Sequence, residues 1–261
     1  MNLSVKPYAA ILAALAMAAM APAKSGAAPC PGNADALGTA RILDVDAAST
    51  PRVGRKQFPQ TLPLTPKEVV LTFDDGPWPG TTERILDALR QECVRATFFL
   101  IGRNAAVRPA LAQRELAEGH TVGYHSFSHP MLDRMPIEAA QADVDRGIAA
   151  VDGALLGQPK HAAPFFRFPY FSSTPPLLDW LERRRMAVFG ADLWASDWNR
   201  MSPDQELHLV LGRVETNQGG IALFHDTKAQ TAAMLPAFLR ALKAGGFSIV
   251  QAVDGTHPQA P

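Results

Sequence analysis

Between residues 68 and 253 short apolar runs alternate with longer stretches of helical periodicity, and this alternation points to a parallel β-sheet flanked by helices. Residues 69–73 read as a strand, and Ile85, Leu86 and Leu89 then recur at helical spacing after Thr82. Further strands are expected over 96–101, 121–124, 165–168, 186–189, 221–224 and 247–250. Among the intervening helices, one starts near Pro109 and stops at Gly119, a second carries Ala140, Val144, Ile148 and Val151, and a third covers 177–181. Ser202-Pro203-Asp204-Gln205 opens a fourth with a capping box, and Leu207, Val210, Leu211 and Val214 form its buried face. A last helix over 234–242 ends at Gly245-Gly246. Such a sheet is either open or closed into a barrel.

The reactive residues choose between these. Asp74 and Asp75 follow one strand, His125 and His129 another, Arg167 and Tyr170 a third, Asp197 a fourth and His225 a fifth. Barrels of this class assemble their active sites at the carboxyl ends of the strands, and an open sheet would converge fewer segments. The expectation is an α/β barrel.

Within Thr72-Phe73-Asp74-Asp75-Gly76-Pro77 and His125-Ser126-Phe127-Ser128-His129 lie two adjacent carboxylates and two histidines four apart. A catalytic divalent ion takes about three protein ligands, and a separate base must accept a proton when water attacks. Two histidines and one aspartate fill the first role, leaving one aspartate for the second. Neighbours on a strand face opposite ways, so the turn at Gly76-Pro77 is needed to bring both carboxylates to one place. Pro130 disfavours helix at His129, which puts the histidines in a loop or single turn.

The chain has 261 residues, 47% of them hydrophobic, with 25 basic and 25 acidic side chains. It is sized for one sizeable domain, and its balanced charge gives no field for nucleic acid or anionic membrane, so neither is expected as a partner. Lys6, an apolar stretch over 8–20 and Ala21-Pro22-Ala23 read as a secretory signal over residues 1–23. That segment is too short to remain as a membrane span, so the mature protein is expected in the periplasm or secreted, with no stable membrane insertion. Residues 24–66 read as an extension wrapping the domain, 67–253 as the domain itself and 254–261 as a polar tail. Export permits the two cysteines, Cys30 and Cys93, to pair, closing a loop that would stabilise the fold by about 4 kcal/mol in the chain-entropy model. His120 and His208 are read as structural, His161 and His257 as exposed.

Five motifs in order carry a family resemblance: the two above, Arg167-Phe168-Pro169-Tyr170, Asp197-Trp198 and Ile221-Ala222-Leu223-Phe224-His225. In these the chain resembles the polysaccharide deacetylases, the NodB-homology domain of carbohydrate esterase family 4. The resemblance runs from about Glu68 to Val253. It implies a distorted, seven-stranded (β/α) barrel and a single catalytic domain. It assigns Asp75, His125 and His129 to one divalent ion, usually zinc, with cobalt, nickel and manganese as alternatives. It makes Asp74 the general base, paired with Arg167, and His225 the general acid, held by Asp197. The Tyr170 N–H would stabilise the oxyanion, and Trp198 and Leu223 would line a slot for the acetyl methyl. Phe168, Phe171 and Trp194 depart from the common pattern, which alters the aromatic lining of the groove and leaves the catalytic set intact.

The implied reaction is removal of N-acetyl groups from N-acetylhexosamine units of an N-acetylated glycan, of peptidoglycan or chitooligosaccharide type. Two alternatives stand beside it: an O-acetyl esterase on acetylated glycan, and a catalytically silent glycan-binding protein of the same fold. A monomer is favoured.

Overall fold

A computed structural model of the protein describes residues 30–255; the expected signal segment, His257 and all but two residues of the expected tail lie outside them. Seven strands form a continuous parallel path. Its centre is β3 (Glu68–Asp74), every residue of which is buried. On one side lie β9 (Gly219–His225) and then β8 (Leu193–Trp194); on the other lie β4 (Thr97–Leu100), β5 (Thr121–Tyr124), β6 (Phe165–Phe166) and β7 (Ala187–Phe189). Among the described residues seven α-helices pack outside: α1 (Thr82–Gln91), α2 (Gly102–Val107), α3 (Pro109–Ala117), α4 (Ile137–Ala154), α5 (Pro175–Arg183), α6 (Pro203–Asn217) and α7 (Ala229–Ala244).

The path does not close by strand pairing between β7 and β8. Residues 54–61 fill that seam instead. Lys56 N–H donates to Ala191 O, and the Gln57 side chain accepts from Ala191 N–H. The buried Asp192 carboxylate accepts from Arg55 N–H, the Thr61 hydroxyl and Ile221 N–H, so it ties the loop to β9. Residues 31–66 therefore do more than wrap. They supply β1 (Thr39–Val45), parallel to the last strand β10 (Ser248–Asp254), and β2 (Arg52–Val53), parallel to β7. Cys30 and Cys93 are joined by a disulfide, which anchors this segment just beyond α1.

Strand alternation divides the core and delivers the site. Side chains two apart share a face. Val69, Leu71 and Phe73 join the layer between sheet and helices, whereas Val70 joins an inner cluster with Phe99, Phe165, Phe189 and Ile221. Following the inner rows towards the carboxyl ends gives Val70-Thr72-Asp74, Phe165-Arg167 and Ile221-Leu223-His225. Each row is apolar at its base and reactive at its mouth. Register completes the placement, since Asp74 lies opposite His225 on β9 and Phe99 on β4. Val45, Val250 and Ala252 from the β1–β10 pair join the inner cluster.

The capping box at α6 is present in full, with the Ser202 hydroxyl accepting from Gln205 N–H and the Gln205 side chain from Ser202 N–H. Of the boundaries that differ from expectation, two lie near the site. The strand at 165 stops at Phe166, because Pro169 starts a 3₁₀ turn over Pro169–Phe171. The stretch after β4 holds α2, a single short helix whose Gly102 packs directly on Gly147 of α4. No helix among the described residues is long and apolar enough to cross a membrane.

Candidate active site and metal centre

Asp75 adopts φ 80°, a left-handed conformation that releases it from the alternation of β3. The peptide bond between Gly76 and Pro77 is cis. Asp74 thus ends the inner row of the strand, while Asp75 turns towards the loop after β5. Asn104 on α2 donates its amide to Asp75 O at 2.7 Å and fixes that turn.

His125 and His129 come from that loop, in a stretch that is not helical. Asp143 on α4 latches it. One oxygen accepts from the N–H groups of Phe127 and Ser128, and the other from the Ser128 hydroxyl at 2.6 Å. Gly147, one turn further along, meets the loop so closely that a Cβ there would lie 2.4 Å from the Ser126 carbonyl carbon.

The two Nε2 atoms lie 3.5 Å (His125) and 3.2 Å (His129) from Asp75 Oδ1. Ligand atoms about 2.0–2.2 Å from a tetrahedral ion are separated by about 3.3–3.6 Å, so the spacing fits a divalent cation. Two further observations support the fit. Asp75 Oδ1 is buried and accepts no aligned hydrogen bond. His125 Nδ1 is 2.7 Å from Arg167 O, an acceptor, which places the ring proton on Nδ1 and the lone pair on Nε2, facing the site. Asp75, His125 and His129 therefore form a candidate metal site.

Asp74 stands beside this set yet is held differently. Its Oδ2 is 3.9 Å from His125 Nε2, while its Oδ1 is 2.7 Å from the Arg167 guanidinium. Arg167 is fully buried, donates also to Thr72 Oγ1, Phe189 O and Gly190 O, and stacks over Phe99 at 4.3 Å. A buried guanidinium with every arm engaged can point in only one direction.

Across the mouth, His225 is fixed at two points by Asp197. Its Nδ1 and its backbone N–H are each 2.7 Å from a different oxygen of that carboxylate. Burial pulls the imidazole pKa down, but the hydrogen bond and charge of Asp197, with further charge from Asp75 and Asp74, push it up to about 9.

These groups open onto a cavity of about 810 Å³. Its wall includes Phe168, Trp194, Trp198 and the buried Leu223, which lies opposite Trp194 in the strand register. Tyr170 sits at φ 56° with its ring against His129 at 4.6 Å, and its N–H donates to no group among the described residues. Arg103 and Lys228 also line the cavity, and the carboxylates on its wall are Asp74 and Asp75. Of the ten non-glycine residues with positive φ among the described residues, six, namely Asp75, Ser126, His129, Tyr170, Phe171 and Ser196, lie in the loops around the cavity. Backbone strain of this kind concentrates where geometry is functional.

All ten residues singled out by the motifs are thus gathered at one end of the barrel. His120 is buried, and its burial, with Arg95 and Arg114 nearby, lowers its pKa to about 3; His161 is exposed, and so, against expectation, is His208, whose Nδ1 lies 2.7 Å from Asp204 O one turn back on α6. Sequence reasoning missed Asp143, Asn104 and the supports of Asp197 on α6 and α7. They are common residue types outside any motif, and no spacing signal marks them.

A family model described as polysaccharide deacetylase matches residues 62–187. A chitooligosaccharide deacetylase from Sinorhizobium fredii is 32% identical over 203 residues, covering 72% of this chain and 91% of the relative. A peptidoglycan-N-acetylglucosamine deacetylase from Listeria monocytogenes is 32% identical over 186 residues, which cover 71% of this chain and 38% of the relative. This chain therefore matches well under half the length of the Listeria protein. Among solved structures, a peptidoglycan deacetylase from Bdellovibrio bacteriovorus superposes with a TM-score of 0.75 at 32% identity, covering 87% of this chain and 62% of that one. With its five motifs folded into one mouth and a 32% identical relative matched over 91% of its length, the chain belongs to the polysaccharide deacetylase family.

Proposed function

We propose that this protein is a metal-dependent hydrolase that removes N-acetyl groups from N-acetylhexosamine units of an exported glycan, acting outside the cytoplasm. The observation that carries the reading is the division of labour between two adjacent carboxylates. Asp75 faces two histidines at ligand spacing, while Asp74 is kept out of that set by a fully buried arginine. A divalent ion held by Asp75, His125 and His129, most simply zinc, would supply Lewis acidity and acidify a water molecule.

The chain's own residues do the rest. Asp74 Oδ2, beside the ligand set, takes the proton of the attacking water. The unengaged Tyr170 N–H is available to the oxyanion that forms on the acetyl carbonyl. His225, protonated through Asp197, gives its Nε2 proton to the departing sugar amine. Leu223 and Trp198 offer the acetyl methyl an apolar recess.

Among acetylated glycans we favour a carboxylate-bearing one, as in peptidoglycan. Arg103 and Lys228 line the cavity and form no ion pair among the described residues. Arg108 stacks on Trp78 at 4.7 Å and Lys56 on Trp194 at 5.2 Å, so cations flank two aromatic walls of the groove. Acetate release from matched amide and ester substrates by the zinc-loaded protein tests the reaction. Faster amide hydrolysis supports the reading, and turnover confined to esters would replace it with an O-acetyl esterase.

A further inference from the structure

The support of Asp197 continues beyond His225. Its Oδ2 accepts from His225 N–H and lies 2.9 Å from the Thr231 hydroxyl of α7. The same hydroxyl is 2.8 Å from Glu206 Oε1 of α6. Asp197, Thr231 and Glu206 are all shielded from solvent, at 1%, 0% and 0% exposure.

A count of protons fixes the direction of this chain. An ionised carboxylate only accepts, and a hydroxyl has one proton to give. With Asp197 ionised opposite the His225 imidazolium, the Thr231 proton goes to Asp197. The remaining 2.8 Å contact is then a hydrogen bond only if Glu206 carries a proton and donates it to Thr231 Oγ1. The other Glu206 oxygen is buried without a partner, which also favours the neutral acid.

We propose that Glu206 is a positioning residue for the reaction proposed above: as a neutral acid it sets the Thr231 hydroxyl on Asp197, and on ionising it reverses that hydroxyl and adds a negative charge behind the His225–Asp197 pair. The inference rests on His225 as the general acid. The groups acting on Glu206 are Thr231 from α7, Asp197 from the loop after β8 and His225 from β9. Burial raises the Glu206 carboxyl to about 7, against the weaker pull of Thr231. The reversal therefore falls in the neutral range. Above it, Asp197 loses a donor and becomes a stronger acceptor, and the new charge further favours the imidazolium. His225 stays protonated to higher pH than Asp197 alone would hold it.

Glu206→Gln separates these roles, since the amide can still donate to Thr231 but cannot ionise. The experiment is an NMR titration of the His225 ring in zinc-loaded wild type and Glu206→Gln, alongside the pH profile of acetate release. The expected result is a His225 midpoint lower by about one pH unit in the variant. Activity loss should grow with pH to as much as about tenfold on the alkaline limb. Coincident His225 titrations in two folded proteins overturn the proposal. Absence of acetate release from wild type overturns the deacetylase reading instead, and the NMR comparison still decides the coupling.

Discussion

Asp74 and Asp75 carry the same side chain one peptide apart, and backbone conformation gives them different partners. Asp74 completes a strand row and meets Arg167, whereas Asp75 leaves the strand at φ 80° and meets the two histidines. Asp74→Asn is therefore expected to bind zinc with near wild-type affinity while losing about 10²–10⁴-fold in kcat. Asp75→Asn is expected to lose zinc affinity itself. Calorimetric zinc titration with acetate release on the same samples distinguishes the two, and loss of zinc from Asp74→Asn would contradict the division. At this scale the sequence was informative where chemistry is concentrated: Asp-Asp-Gly-Pro and His-x-x-x-His declare themselves by residue type and spacing. Thr231 and Glu206 do not, because a threonine and a glutamate 25 residues apart acquire meaning only when α6 and α7 pack side by side.

The histidine loop is shaped by an element that contributes nothing to the chemistry. Helix α4 presents Asp143 to three donors of the loop and, one turn on, the bare backbone of Gly147. Asp143→Ala is expected to lower zinc affinity by about 10–100-fold, the scale typical of supports behind a metal ligand. Equal zinc affinity in the variant would show that the loop holds itself. The long helices and buried strands were legible because their periodicity runs over many residues, as with Ala140, Val144 and Val151 of α4. The two-residue strands β2 and β8 were not, since two residues carry no period. Nor was β1, whose residues are mostly half-exposed and whose partner β10 lies about 200 residues away. The barrel itself was legible, but how its seam is sealed was not, for a related reason: between β7 and β8 a loop and Asp192 fill the gap, and no strand pattern encodes that.

For the whole molecule, formal charge is balanced. Arg103 and Lys228 at the cavity are expected to act on substrate binding. Arg103→Ala/Lys228→Ala should raise KM for carboxylate-bearing peptidoglycan fragments about tenfold and leave neutral chitooligosaccharides nearly unchanged. An equal effect on both substrates would remove the argument for an anionic glycan. Stability should also follow pH. His225 binds its proton more tightly folded, near pH 9, than its ordinary value of 6.5. The contribution is full below 6.5 and is lost as pH rises through 9, because over that interval the folded state holds a proton that the unfolded state has released. The metal-free protein is expected to lose on the order of 5 °C in Tm between pH 7 and 9, and His225→Gln to flatten that slope. A Tm that rises over this range would contradict the Asp197–His225 pairing. The central claim is that the whole assembly removes acetyl groups from a glycan with a metal held by Asp75, His125 and His129. Mass analysis of purified cell-wall glycan incubated with the zinc-loaded protein, and with the same protein after chelation, tests it most directly. The account predicts loss of acetyl mass from hexosamine units with zinc and none after chelation; unchanged glycan in both samples, or equal loss in both, would contradict it.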